Sequence, residues 1–202
     1  GSAPDRLWDV ADHYLRAATC WKRGDNHDPP CQVPRERTLP FHLDAPGGRE
    51  AKSEDLLTLG QFLHSWCFNL RRQCANPRCR EGVLRHESCF SHHGGRLSVR
   101  VMQLPAEVQL PSDACFAWSV CRECQRRDGA ASAGPLRPLS TETLSMSFGR
   151  WLESAFYNKA AYGRFCGCTQ PFHETHERFV GQGNLAVAVH FQPCVVFDMT
   201  PP

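Results

Sequence analysis

Phe148-Gly149-Arg150-Trp151-Leu152 falls over Leu59-Gly60-Gln61-Phe62-Leu63 when the chain is shifted on itself by 89 residues, and the same shift puts Tyr157-Asn158 over Phe68-Asn69. Both stretches carry apolar residues at helical spacing. Leu59, Phe62, Leu63, Trp66 and Cys67 make one face, and Phe148, Trp151, Leu152, Ala155 and Phe156 the other, so each predicts a helix with one buried stripe. Thr58 is placed to cap the first. Past the helices the likeness continues with small slips. At a shift of 87, His86-Glu87 lies over His173-Glu174 and Cys89-Phe90 over His176-Glu177; near 88, Leu97, Val99 and Val101 lie over Leu185, Val187 and Val189. Those runs have the two-residue period of a half-buried strand. The expectation is an α+β fold: a zinc-stabilised module of two related repeats, each a helix, a zinc loop and a strand. Two copies are too few for a solenoid, so they should pack as one body.

The divisions that follow are 1–55, an extended lead-in with a short helix near Trp8 to Leu15; 56–126, the first repeat with a zinc site; 127–140, a linker loop; and 141–202, the second repeat with a zinc knuckle. A further strand is expected at Phe116, Trp118 and Val120.

Composition narrows the class. With 41% hydrophobic and 22% charged residues in 202, the chain is globular, and 23 Lys+Arg against 21 Asp+Glu leave a net charge of +2, too little for a polyelectrolyte-binding tail. The longest apolar run, at Leu185, is five residues, against ~18 to 20 for a membrane span. Gly1-Ser2 reads as a cloning scar with no apolar leader behind it, so the chain is expected to be a fragment and not secreted. The anomaly is 12 Cys beside 10 His. Disulfides would suit a small secreted chain; cysteines clustered with histidines in a chain of this size point to Zn2+.

Cys121-Arg122-Glu123-Cys124 is a CxxC entered from a strand, and Cys74 and Cys79 are its expected complement, because structural zinc is commonly closed by two short-spaced pairs. The competing reading, a redox dithiol, lacks the βαβ surroundings it would need. Cys166-Gly167-Cys168 with His173 and His176 supplies four ligands within eleven residues and predicts a locally closed knuckle; free thiols and core histidines are its alternative. A third, weaker set is Cys20, Cys31, His86 and Cys89, whose alternative is a buried thiol and a histidine bonded to backbone. Cys67 and Cys194 sit among apolar neighbours and are expected in the core.

No catalytic pattern is present: no GxxxxGK, no GxGxxG after a strand, no GxSxG. His173 and His176 are three apart, not the four of HExxH, and Val120 rather than Pro precedes the CxxC, which removes the deaminase signature. Arg71, Arg72, Arg78, Arg80 and Arg85 form a local basic stretch, extended by Arg96 and Arg100. It suits an acidic lipid headgroup, an acidic partner face or nucleic acid; a solvated face is the bland alternative. A nucleic-acid-binding zinc protein is the competing function, and the near-neutral total charge argues against it.

Leu59 to Leu63, the Cys74 and Cys79 pair, Trp118-Ser119-Val120-Cys121-Arg122-Glu123-Cys124, Ser145 to Glu153 with Phe156-Tyr157, and the Cys/His cluster before Arg178-Phe179 together resemble the Cys-rich region of PIKfyve-type phosphatidylinositol 3-phosphate 5-kinases, from about Cys31 to Pro193. That family's knuckle usually begins Cys-Gly-His, where this chain has Cys166-Gly167-Cys168. The resemblance implies a regulatory and assembly module of a lipid kinase making phosphatidylinositol 3,5-bisphosphate. It also implies association with scaffold and phosphatase subunits, and a cytoplasmic place peripheral to endosomal or vacuolar membranes. It supplies no kinase motif here, so the chain itself is expected to be non-catalytic.

Overall fold

The alternation of Leu97, Val99 and Val101 is realised as a nine-residue strand at the centre of one antiparallel sheet. The computed structural model describes residues 14–23, 29–43, 55–130, 132–158, 165–169 and 171–194. In chain order the elements are β1 (Tyr14–Arg23), β2 (Arg35–Pro40), α1 (Leu59–Phe62, widening into a π turn over Leu63–Cys67), β3 (His86–His92), β4 (Gly95–Gln103) and β5 (Phe116–Cys121). Then come α2 (Arg122–Asp128), β6 (Ser132–Ala133), β7 (Arg137–Pro138), α3 (Thr141–Ser145), α4 (Phe148–Tyr157), α5 (Phe172–Thr175), β8 (His176–Gln182) and β9 (Leu185–Pro193). The fold is mixed α and β and mostly sheet, with the order β2-β1-β3-β4-β9-β8-β5-β6 and β7 also pairing β5.

Two hairpins of equal dimensions meet at the middle. β3 and β8 are each seven residues and begin at His86 and His176; β4 and β9 are each nine and begin at Gly95 and Leu185, so the hairpins lie 90 residues apart along the chain. β4 and β9 pair along their whole length, from Gly95 opposite Pro193 to Gln103 opposite Leu185. Period 2 sends Leu97, Val99, Val101, Val187, Val189 and Phe191 to one face, where all are buried.

The helices cover that face. Leu59, Phe62 and Leu63 from α1, and Phe148, Leu152, Ala155 and Phe156 from α4, are buried against the sheet, each large side chain contributing on the order of 1.5 to 3 kcal/mol. Phe62 and Phe148 stack at 3.9 Å, and each meets Phe90 in a T-shaped arrangement. The starts of the two helices are joined. Thr58 and Gln61 form a reciprocal capping box on α1, while Ser147 Oγ accepts from Arg150 N on α4 and donates to Pro40 O of β2. Leu59 N donates to Met146 O at 2.8 Å and Phe148 N to Leu57 O at 2.9 Å, so neither helix can be seated without the other.

Two expectations are corrected, and one is met with a different buried side. Tyr14 and Leu15 belong to strand β1, not a helix, and the remainder of that expected helix lies outside the described residues. β5 does form, but Ser119 and Cys121 are its buried side chains, and Trp118 points the other way to stack on Phe179 at 5.2 Å. Cys67 is in the core, whereas Cys194 is exposed.

The far face of the sheet is polar. Glu87, Arg96, Ser98, Arg100, Glu177, His190 and Gln192 line a cleft of about 260 Å³ there, and the Nε2 of His190 is buried without a hydrogen-bond partner among the described residues. Burial first, and then Arg122, pull the His190 pKa down to about 4. Below the ordinary histidine value near 6.5 the unfolded chain takes a proton that the folded chain refuses, so stability falls as pH drops from 6.5 to 4. His190→Gln should flatten that part of the stability profile relative to the parent chain in denaturant titrations at matched pH. An unchanged slope would contradict the assignment.

Candidate metal centres

Two four-residue groups bring their donor atoms within 4.8 Å of one another: Cys31, Cys74, Cys79 and His86, and Cys121, Cys124, Cys166 and Cys168. All twelve cysteines are free thiols.

The first centre is assembled by turns around the start of β3. Cys74 N donates to Glu81 O at 2.9 Å and Cys79 N to Asn76 O at 3.0 Å, closing the turn that aims both sulfurs the same way. Asn76 Nδ2 donates to Cys31 O at 2.9 Å, and Cys31 N to Trp21 O at 2.8 Å, which tether the third thiol. His86 is 2% exposed, its ring 4.9 Å from that of Trp21. Its Nδ1 lies 2.8 Å from Gly82 O; a carbonyl can only accept, so Nδ1 carries the proton and the Nε2 lone pair faces Cys79 Sγ at 3.3 Å. A backbone carbonyl fixing the tautomer of a ligating imidazole is the usual outer-shell arrangement of a metal histidine. Burial lowers the His86 pKa and keeps the ring neutral.

The second centre joins the end of β5 to the segment before β8. Cys121 is buried at the last position of β5, and Cys124 sits in the first turn of α2, its N–H directed at Cys121 Sγ at 3.5 Å. Gly129, at φ +67°, ends α2 in the left-handed conformation. Cys168 Sγ is 3.3 Å from Cys121 Sγ and 3.6 Å from Cys124 Sγ. Arg127 Nη2 lies 3.7 Å from Cys124 Sγ, a cation beside the thiols.

These distances fit an ion. Zn–S bonds of 2.3 Å in a tetrahedron set sulfurs about 3.8 Å apart, whereas a disulfide needs about 2.05 Å. The donor chemistry, three thiols and an imidazole in one centre and four thiols in the other, is that of soft, tetrahedral sites. Without a cation the crowding is unfavourable to thiolates: burial, and then Cys79 and Cys74, push the Cys31 thiol up to about 12. Cys168 is pushed up as well, chiefly by its bond to Cys121. A divalent ion at either centre would remove that conflict.

The grouping differs from the one the spacing suggested. Cys74 and Cys79 do not meet Cys121 and Cys124, because β3 and β5 are four strand steps apart in the sheet, roughly 19 Å at the usual strand separation. Cys166 and Cys168 close on the CxxC instead, since β5 pairs β8 with Cys121 opposite His176. His176 stays beside the centre: Thr175 Oγ1 donates to Pro171 O and accepts from His176 Nδ1, leaving Nε2 turned to Cys166 Sγ at 3.4 Å. His173 is not brought in; it is 3% exposed, with its ring 5.0 Å from that of Phe191.

The weaker third set divides. Cys31 and His86 enter the first centre, while Cys89, three residues on from His86, falls on the opposite face of β3. There it lies across from Cys20 of β1 and receives a hydrogen bond from Arg96 Nη2 at 3.0 Å. The signal that would have placed Cys31 is weak, because eleven residues separate it from Cys20 and more than forty from Cys74. For His86 a signal existed: a shift of 90 instead of 87 sets it over His176. Of the flagged arginines, Arg71, Arg78, Arg80 and Arg85 are exposed, and Arg72 is turned inward between Trp21 and Trp66.

Comparison with known proteins returns lipid kinases. The 1-phosphatidylinositol-3-phosphate 5-kinase FAB1A of Arabidopsis thaliana is 28% identical over 145 residues, 71% of this chain. The enzyme of Homo sapiens is 26% identical over 150 residues, 72% of the chain. FAB1 of Saccharomyces cerevisiae is 23% identical over 175 residues, 86% of the chain. The chain is similar to one segment of the 1-phosphatidylinositol-3-phosphate 5-kinases. It spans only 7 to 8% of the length of these three relatives. No family model and no solved structure matches it. No helix among the described residues is long and apolar enough to cross a membrane.

Proposed function

We propose that both centres hold Zn2+ and that the chain is a non-catalytic regulatory and assembly module of a phosphatidylinositol 3-phosphate 5-kinase. The observation that carries this reading is the pair of closed four-donor centres, one beside β3 and one beside β8. Because β3 and β8 run in opposite directions on either side of the β4–β9 pair, the centres stand at opposite ends of the sheet and tie its irregular segments to it. Four protein donors leave a tetrahedral ion no open position for a water or substrate, which favours a structural over a catalytic role. The kinase context rests on the similarity to FAB1-type enzymes.

The duplicated plan is part of the proposal. Equal hairpins, joined helix starts and a cysteine-facing histidine heading both β3 and β8 support two related halves, divided at 56–126 and 141–202, with 1–55 as lead-in and 127–140 as connection. Scaffold and phosphatase subunits at an endosomal or vacuolar membrane are the proposed partners.

Elemental analysis of the purified chain should give two zinc ions per molecule. His86→Ala and Cys124→Ser should each leave one, since the centres share no ligand. Full metal content in both variants would refute the zinc assignment. Phosphorylation of lipid by the chain alone would refute the non-catalytic role, and unimpaired subunit assembly of a kinase lacking this segment would refute the assembly role.

A further inference from the structure

We propose that the cleft between β1, β2 and the turn following α1 binds a phosphate monoester, with Arg35 and Arg72 as its clamp. The cleft measures about 290 Å³ and is lined by Trp21, Trp66, Arg35, Arg37, Arg72 and Ser88, among others. It adjoins the first cysteine centre but shares no residue with either four-donor set, and the sequence flagged only one of its arginines.

Arg72 is the central observation. Its guanidinium carbon lies 4.1 Å from the Trp21 ring and 4.0 Å from the Trp66 ring, so two indoles hold the group in place. Stacking of this kind suits a planar guanidinium and costs it little. Yet Nη1 is buried with no hydrogen-bond acceptor among the described residues. A buried donor left unmade is expensive. An anion entering the cleft would supply both the missing acceptor and the missing charge.

The neighbouring charges set what that anion should be. Arg37 is ion-paired with Asp55, Nε to Oδ1 at 2.9 Å, with side-chain exposures of 12% and 4%, and its guanidinium lies 5.4 Å from the Trp66 ring. That pair is a neutral, fixed wall. Neither Arg35 nor Arg72 has a carboxylate at ion-pair distance among the described residues, so the cleft keeps two uncompensated guanidiniums. A phosphate monoester carries about −1.5 to −2 at neutral pH and several strong acceptor oxygens, which matches that surplus better than a single carboxylate. Arginines make paired, directional bonds to such oxyanions, and indole walls keep the clamp ordered before the ligand arrives, which limits the entropy lost on binding. Ser88 and Thr19 add hydroxyls to the same lining. At the lower edge of ligand-sized pockets, about 300 Å³, the cleft suits one phosphorylated head group.

Arg72 also lies near the thiols of Cys67 and Cys74, so a role as counter-charge to the first centre has to be separated from ligand binding. Arg35, exposed at the first position of β2, provides the separation. The test is calorimetric titration of the metal-loaded chain with inorganic phosphate and with glucose 6-phosphate, beside sedimentation with phosphatidylcholine vesicles containing phosphatidic acid. At least one phosphate probe should bind saturably at one site, and Arg35→Gln and Arg72→Gln should each weaken it tenfold or more, with zinc content unchanged in Arg35→Gln. Binding of glucose 6-phosphate without vesicles identifies a soluble monoester, and the reverse a lipid-borne one. Absence of saturable binding to all three probes, or binding that both substitutions leave unaltered, would overturn the proposal.

Discussion

Stripping the metal with a chelator at neutral pH should abolish the cooperative thermal transition of this chain, and restoring zinc should bring it back. The argument is one of magnitudes. A structural zinc contributes on the order of 10 to 16 kcal/mol in peptide sites, while the net stability of a whole domain is about 5 to 15 kcal/mol. For a domain of this size each kcal/mol is worth roughly 2 to 4 °C of Tm, so losing one centre, even at the lower figure of about 10 kcal/mol, should lower Tm by roughly 20 to 40 °C. The geometry says which part yields first. Between the π turn ending at Cys67 and the start of β3 at His86, regular pairing is confined to a single bridge from Gln73 to Gly82 and one turn of 3-10 helix at Val83–Arg85. The turn hydrogen bonds through Asn76 and Glu81 hold only while Cys31, Cys74, Cys79 and His86 converge. With the ion removed, this segment should release Trp21 and β1, and the edge formed by β1 and β2 should follow. Circular dichroism and scanning calorimetry on metal-free and reconstituted protein measure this directly. A metal-free chain with an unaltered melting transition would show that the apolar core suffices and that the thiol clusters are incidental.

Most of the sheet's centre was legible because its residues obey one strong rule. Leu97, Val99 and Val101 alternate with polar or exposed neighbours, and Leu185, Val187 and Val189 alternate with the small Ala186 and Ala188, so one face of each strand carries the large side chains and the register is set. The helix seats were legible for the same reason at period 3.6. β1 carries the signal too, in Leu15, Ala17 and Trp21, but the prolines that follow draw attention away from it, and its place depends on a partner, β3, more than sixty residues on. Ligand grouping was harder because it is a property of strand order. Spacing placed all eight thiols and imidazoles of the two centres among the metal candidates, six in the two main sets and Cys31 and His86 in the weaker third, but it misjudged which of them meet and added Cys20, Cys89, His173 and His176. Nothing local to Cys121 says that β5 lies beside β8 and four steps from β3. Nor does any local feature distinguish His173 from His176. That choice is made by α5, a single helical turn, which buries the first against Phe191 and delivers the second to the head of β8.

Gly149→Ala should destabilise the fold by about 1 to 3 kcal/mol, although the same change in an open helix would stabilise it by about 1 kcal/mol. Gly149 lies in the first turn of α4, where a Cβ would stand 2.4 Å from Pro40 O and 2.6 Å from Leu39 O. Those are backbone atoms of β2, so no side chain can rotate away, and ordinary contact begins near 3.4 Å. Helix and strand must therefore separate by about 1 Å. Overpacking of this kind costs about 1 to 3 kcal/mol, and the displacement also strains the bond from Ser147 Oγ to Pro40 O, whose loss would add about 1 kcal/mol. After the propensity gain is subtracted, a net loss of about 1 to 3 kcal/mol corresponds to roughly 2 to 12 °C in Tm. Gly94→Ala, at the tip of the β3–β4 turn with nothing within 4 Å of its added carbon, is the control and should melt with the parent. Gly60→Ala, whose Cβ meets Leu144 O at 3.1 Å, should fall between them. This ordering reports on how the parts are held together. α4 belongs to the second half of the chain and β2 to its lead-in, and their only route to such close approach is a helix start with no side chain. If Gly149→Ala melts at or above the parent temperature, α4 is not seated on β2, and the joining of the lead-in to the second half must come from elsewhere.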